Sequence, residues 1–156
     1  FLDSSSNTLI NSLPIIFLAL IVVTISGCKK YDEGPAISLL SKKARVDNTW
    51  KIEKYYENGV DLTAAVLAAD DITVDLNKDG TVTWTEIDTQ SGNGSTKTGT
   101  WEFTNEKESI LVNISGDVSF SGSGSDVWNI LKLKNKEMWF TVMNGSDNVE
   151  IHLKPR

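Results

Sequence analysis

The chain has 156 residues, with 15 Lys+Arg against 21 Asp+Glu and a formal net charge of −6. The basic residues are scattered and form no stripe, which argues against nucleic acid as a partner. One cysteine excludes an internal disulfide, and the length suits one modest folded domain.

The first element is an uncharged run of thirteen residues from Leu13 to Ile25. A bilayer-crossing helix needs about 20 apolar residues, whereas the apolar heart of a secretory signal has roughly 7–15. The run therefore reads as an export signal. Residues 1–12 carry Asp3 and no Lys or Arg, where such a signal opens on basic residues, and read as a truncated or mis-started beginning. Ile25-Ser26-Gly27-Cys28 follows, small before its cysteine. This tetrapeptide resembles the bacterial lipobox. The resemblance implies that residues 1–27 are a lipoprotein signal peptide and that Cys28 carries a diacylglyceryl thioether and an N-acyl chain such as palmitate. It also implies a place in the bacterial cell envelope, lipid-anchored on the outer membrane and facing the periplasm or the surface. Two acyl chains suffice for stable anchoring, at about 0.8 kcal/mol per buried methylene. A free buried cysteine and an uncleaved N-terminal anchor are the other readings of these residues.

Residues 28–46 read as the lipidated cysteine and a tether with room for one helical turn. Lys29-Lys30-Tyr31-Asp32-Glu33 resembles the Lys-plus-acidic tag that sends some Bacteroidota lipoproteins to the outer leaflet; a plain solvated linker explains it equally well.

Residues 47–156 read as the folded domain, in which apolar and polar residues alternate with the period of strands. Trp50, Ile52, Lys54 and Tyr56 are expected on one face of the first strand, closed by Asn58-Gly59. Alanines between Asp61 and Asp71 predict one short helix, capped by Asp61 or Thr63. Ile72, Val74 and Leu76 form the next face, Asp79-Gly80 a hairpin turn, and Val82 and Trp84 the returning strand. Residues 91–97 read as a Gly/Ser loop. Further strands carry Trp101 and Phe103, then Ile110, Val112 and Ile114. After a second Gly/Ser loop over 121–126 come a strand from Trp128 to Lys134, one from Met138 to Met143, and a last one with Val149, Ile151 and Leu153. About eight strands in hairpin order predict an all-β antiparallel meander closed into a barrel, which leaves no exposed edge. A flat sandwich is the competing architecture.

Asn48-Thr49-Trp50 with Ile52 resembles the opening Gly-x-Trp strand of lipocalin-like domains. Gly99-Thr100-Trp101-Glu102-Phe103 resembles a later strand of small lipocalin-like lipoproteins of the Bacteroidota. Asp79-Gly80-Thr81 and the closing Val149-Glu150-Ile151-His152-Leu153-Lys154 add to the likeness, which covers about residues 48–156. It implies a calycin-type barrel that in some members binds a small apolar ligand. The helix after strand one stands where fatty-acid-binding proteins carry a lid.

Three candidate sites follow. Trp50, Tyr56, Trp84, Trp101, Phe103, Trp128 and Phe140, with Trp139, are candidates to line an apolar cavity. The alternative is that they fill the barrel, since eight strands leave room for side chains or one small ligand. Asp75, Asn77, Asp79 and Glu86 match the spacing of a calcium loop, with Gly80 at its turn. Their flanks alternate like strands rather than helices, so a hairpin is expected and calcium is the lesser reading. His152, the sole histidine, lies between Ile151 and Leu153 and should point away from the core. Without a second histidine or a free cysteine it makes no common zinc site, and no nucleophile elbow accompanies it. The expectation is a non-catalytic protein without a cofactor. Its partners would be the membrane and a small hydrophobic ligand or, alternatively, an envelope protein served by a filled, structural barrel.

Overall fold

The computed structural model describes residues 39–116 and 124–156. Cys28, the signal segment and residues 121–123 of the 121–126 loop lie outside the described residues. A short helix α1 (Lys42–Val46) precedes strand β1 (Asn48–Glu57). The two-residue β2 (Val60–Asp61) leads into helix α2 (Thr63–Ala69). Then come β3 (Asp70–Leu76), β4 (Thr81–Asp88), β5 (Gly94–Thr104), a 3₁₀ turn (Asn105–Lys107), β6 (Ser109–Ile114), β7 (Ser125–Lys134), β8 (Glu137–Asn144) and β9 (Asp147–Pro155).

Every consecutive pair from β3 to β9 is antiparallel, and β9 returns to β1. Eight strands thus close into the up-and-down barrel expected from the alternation, with β2 a short addition on one edge of β1. The strands run between two ends. At the lower end are α1, the β3–β4, β5–β6 and β7–β8 turns and the C-terminus. At the upper end are α2, the β4–β5 and β8–β9 connections, the end of β6 and the start of β7.

One face of each strand fills the interior. Trp50, Val74, Trp84, Ile110, Trp128, Leu133, Met138, Phe140, Ile151 and Leu153 are all buried in one cluster. Burial of that apolar surface is the main favourable term holding the barrel closed. Gly99 marks the tightest bend. A Cβ there would stand 1.8 Å from the Asn113 carbonyl oxygen, so only glycine lets β5 and β6 approach so closely.

The strict alternation fails at two bulges. β1 slips one residue against β9 between Ile52 and Lys54, and β7 slips against β8 between Ile130 and Lys132. An extra residue in one strand reverses the phase beyond it. Tyr55 therefore turns into the barrel and Tyr56 turns out, the reverse of the sequence expectation.

Three element boundaries also differ. β5 begins at Gly94, because residues 94–97 pair with β4 from Ile87 back to Trp84; the backbone ladder makes a strand of a Gly/Ser/Thr stretch. Helix α2 is shorter than the 61–71 span. Residues 42–46, expected in the tether, belong to the fold. Val46 is fully buried, the Trp50 indole donates to its carbonyl at 2.9 Å, and Arg45 Nη1 donates to the Leu133 carbonyl at 3.1 Å. The Asp47 carboxylate accepts from the Lys78 amide at 2.9 Å, tying α1 to the β3–β4 turn and sealing the lower end.

Candidate functional site

The aromatic set divides three ways. Trp50, Trp84, Trp101, Trp128 and Phe140 all point inward and are buried. Trp128 and Phe140 stack with centroids 4.2 Å apart at 6°. Phe103 is half-buried at the lower end, edge-on to Trp101 with centroids 5.5 Å apart. These side chains belong to the packed cluster. Tyr56 and Trp139 lie on the outer wall instead, where Trp139 stacks on His152 at 4.0 Å and 3°, and Tyr56 tilts against the same imidazole at 5.5 Å. Lys132 Nζ covers the other face of Trp139, 3.6 Å from its centroid. His152 thus points away from the interior, yet it is buried beneath this row and within 2.7 Å of a Glu150 carboxylate oxygen.

The calcium-spaced residues are spread along a hairpin. Asp75 accepts from the Thr49 hydroxyl across β1. The Asn77 amide donates to the Thr81 carbonyl at 2.9 Å, and the Asn77 side chain donates to the Thr81 hydroxyl at 3.1 Å. Asp79 accepts from the Thr81 amide and hydroxyl at 2.9 and 2.7 Å; the hydroxyl bond, then the amide, holds its carboxyl below the usual range. Glu86 lies far up β4, opposite Ile72, while Asp75 sits opposite Thr83. Among the described residues, no group of three or more His, Cys, Asp or Glu side chains is placed to hold a metal ion.

A different place has the shape of a binding site. β1 pairs with β3 only as far as Lys51 opposite Thr73. Above that rung β1 instead takes β2 as its neighbour, at Tyr56 and Glu57. The two strands part, and α2 covers the gap. The start of α2 is stitched to β1: the Leu62 amide donates to the Tyr55 carbonyl at 3.0 Å, and the Tyr55 amide donates to the Thr63 hydroxyl at 3.0 Å. The Asp61 carboxylate accepts from Thr63, which lowers its pKa. The far end of α2 is tied as well, since the Thr89 amide and hydroxyl donate to the Ala69 carbonyl at 2.9 and 3.1 Å, but its side chains pack sparsely. None of its residues is buried, and only Leu62 before it and Val66 within it pack on the core.

Under α2 lies a depression of about 310 Å³, lined by Tyr55, Leu62, Ala65, Val66, Ala69, Asp70 and Ile72. Its lining is apolar apart from the Tyr55 phenol and the Asp70 carboxylate. Asp70 faces Asp88 across the β3–β4 ladder, with Glu86 two residues along on the same face. Burial, then Glu86 and Asp88, push the Asp70 carboxyl above its ordinary value. Asp88 is itself held as an anion by the amides of Ser91 and Gln90, at 2.8 and 2.9 Å. Burial, then Glu57 and Asp147, likewise raise the Tyr55 phenol. Sequence reasoning missed this site because it forms where two strands separate. Its one sequence signal was the alanine-rich helix after strand one.

The fold and this opening define a class: a closed eight-stranded antiparallel barrel, sealed below by α1, with a side opening roofed by a short helix. No protein-family model matches the chain, and no curated protein sequence matches it.

Proposed function

We propose that this chain is a lipid-anchored envelope lipoprotein, lipocalin-like in family, whose barrel binds one small apolar ligand beneath α2 without catalysing a reaction. The anchor reading is supported by Ile25-Ser26-Gly27-Cys28 at the end of an apolar run. The family reading is supported by Asn48-Thr49-Trp50 and Gly99-Thr100-Trp101-Glu102-Phe103 on barrel strands. The observation that carries the binding reading is the 310 Å³ depression between parted strands under a loosely packed helix. Its size is at the lower end of the roughly 300–1,000 Å³ typical of small-molecule sites.

The test uses a neutral apolar fluorophore, N-phenyl-1-naphthylamine. Saturable binding of one dye per chain is expected, and Val66→Trp, which fills the depression, should abolish it while leaving the unfolding transition in place. Binding that survives Val66→Trp would move the site elsewhere. Mass spectrometry of the protein from a bacterial host tests the anchor. The expected N-terminus is a triacylated Cys28; an intact residue 1–27 segment overturns it. A second reading has a specific observation behind it: Trp50, Trp84, Trp128 and Phe140 are fully buried in the interior cluster. A barrel so filled suits a rigid envelope platform, and a folded sample with no saturable dye binding would favour that reading.

A further inference from the structure

We propose that the depression beneath α2 selects an apolar ligand with a cationic head, an alkylammonium rather than a fatty acid or a neutral alcohol. The inference rests on the binding reading above and names the chemistry of its ligand. Tyr55, Leu62, Ala65, Val66, Ala69 and Ile72 offer a wall for an alkyl chain, and one charged group, Asp70, stands on that wall.

Four observations give the head group its sign. The Asp70 side chain makes no hydrogen bond or ion pair with a described residue, although it is half-buried. Its nearest charged neighbours on the inner face of the ladder are Asp88, directly opposite, and Glu86. Glu57 and Asp147 add negative charge on the Tyr55 side. The inner-face cation along this ladder is Lys97, one strand further on and opposite Trp84, while Lys51 and Lys154 line a separate depression on the other side of Ile72 together with Glu53 and Asp71. A carboxylate ligand would bring another anion against carboxylates that already repel one another, at an energetic penalty. An ammonium would donate to Asp70 in a charge-assisted hydrogen bond and relieve the repulsion with Glu86 and Asp88. The alkyl chain would meanwhile leave water against Val66 and Ile72.

Chain-matched probes separate these cases. Decylammonium, decanol and decanoate are titrated by calorimetry into the full chain carrying Cys28→Ser, so that no acyl chain of its own competes. The expected order is decylammonium, then decanol, then decanoate, with decylammonium about tenfold tighter than decanol, as one charge-assisted bond supplies. Raising salt from about 20 to about 500 mM should weaken decylammonium and leave decanol in place. In Asp70→Asn the ratio of decylammonium to decanol affinity should fall most of the way toward one, keeping only the long-range share of Glu86 and Asp88. Should that variant fail to fold, Glu86→Gln and Asp88→Asn, which leave Asp70 in place, should each lower the ratio partway. A ratio near one in the parent protein, or decanoate binding best, overturns the proposal while leaving the apolar site standing. Failure of all three probes to bind overturns the site as well.

Discussion

At the scale of single residues, Asp70 is where the local rules conflict. It ends α2 in extended backbone, at φ −137° and ψ 138°, and opens β3 with its carboxylate toward Asp88 and Glu86. Burial and these two anions raise its pKa above 3.8, so the folded chain holds that proton more tightly than the unfolded one. Below the ordinary carboxylate range both states are protonated and the folded state bears no penalty. As pH climbs from 3.8 through the raised folded value, the folded state loses stability, and the loss persists above it. Asp61, Asp79 and Asp88 act in the opposite sense. Their pKa values are lowered, so they contribute stability above the ordinary range that disappears as pH falls. Comparing a variant with its parent largely removes those shared terms. Asp70→Asn should therefore raise the melting temperature at about pH 7 and leave it unchanged near pH 3. Thermal unfolding across that range checks it, and a gain that is equal at both ends would mean that charge is not the cause.

At the scale of elements, the turns and the strand phases were legible and the bulges were not. Asn58-Gly59 forms a turn with both residues at positive φ, 49° and 81°, the geometry its sequence announces. Asp79-Gly80 turns β3 into β4 with Gly80 at φ 96°. Alternation placed Trp50, Val74, Trp84, Trp101 and Ile151 on the inner face, because that pattern is local to each strand. A bulge depends on the partner strand, so nothing within residues 50–57 showed that Tyr55 rather than Tyr56 would turn inward. The opening beneath α2 was hidden for the same reason, since it arises where β1 exchanges β3 for β2. Lys42, Lys43 and Arg45 look solvated in the sequence and suggest a tether, yet Val46 of α1 is fully buried at the barrel end. The bulge makes a sharp prediction. Ile52 and Lys54 already face consecutive residues of β9, Leu153 and His152. Deleting Glu53 therefore preserves both register and facing, and removes its half-exposed 3.3 Å pair with Lys154, worth about 1 kcal/mol. Deleting Lys51 instead drives Glu53 into the inward place of Ile52. The first deletion should retain a cooperative thermal transition and the second should abolish it. Two equally stable products would mean that facing does not fix the register of β1.

At the scale of the whole molecule, the two barrel ends are built for different work. The lower end is closed by Val46, Trp50 and the Asp47–Lys78 contact, while the upper end carries α2, its acidic surroundings and the β4–β5 turn. Closure also makes the seam between β9 and β1 one ladder among eight rather than a pair of edges. The Arg156 amide donates to the Thr49 carbonyl at 3.0 Å, and Arg156 Nη1 reaches the Thr73 hydroxyl at 2.5 Å. The C-terminus thus lies beside the start of β1. A chain in which residue 156 is joined to residue 42 by a short Gly/Ser linker, and which is opened in the exposed turn between Thr89 and Asn93, keeps every strand pairing. That circular permutant should show the same near-ultraviolet signature from its buried tryptophans. It should unfold in one transition a few degrees below the parent, since loop closure changes only slowly with loop length. A permutant that collapses without that signature would show that the β4–β5 turn, rather than ring closure, organises the barrel. An unchanged signature would assign the fold to the closed ladder itself, with α2 and the acidic opening as features carried on a self-sufficient frame.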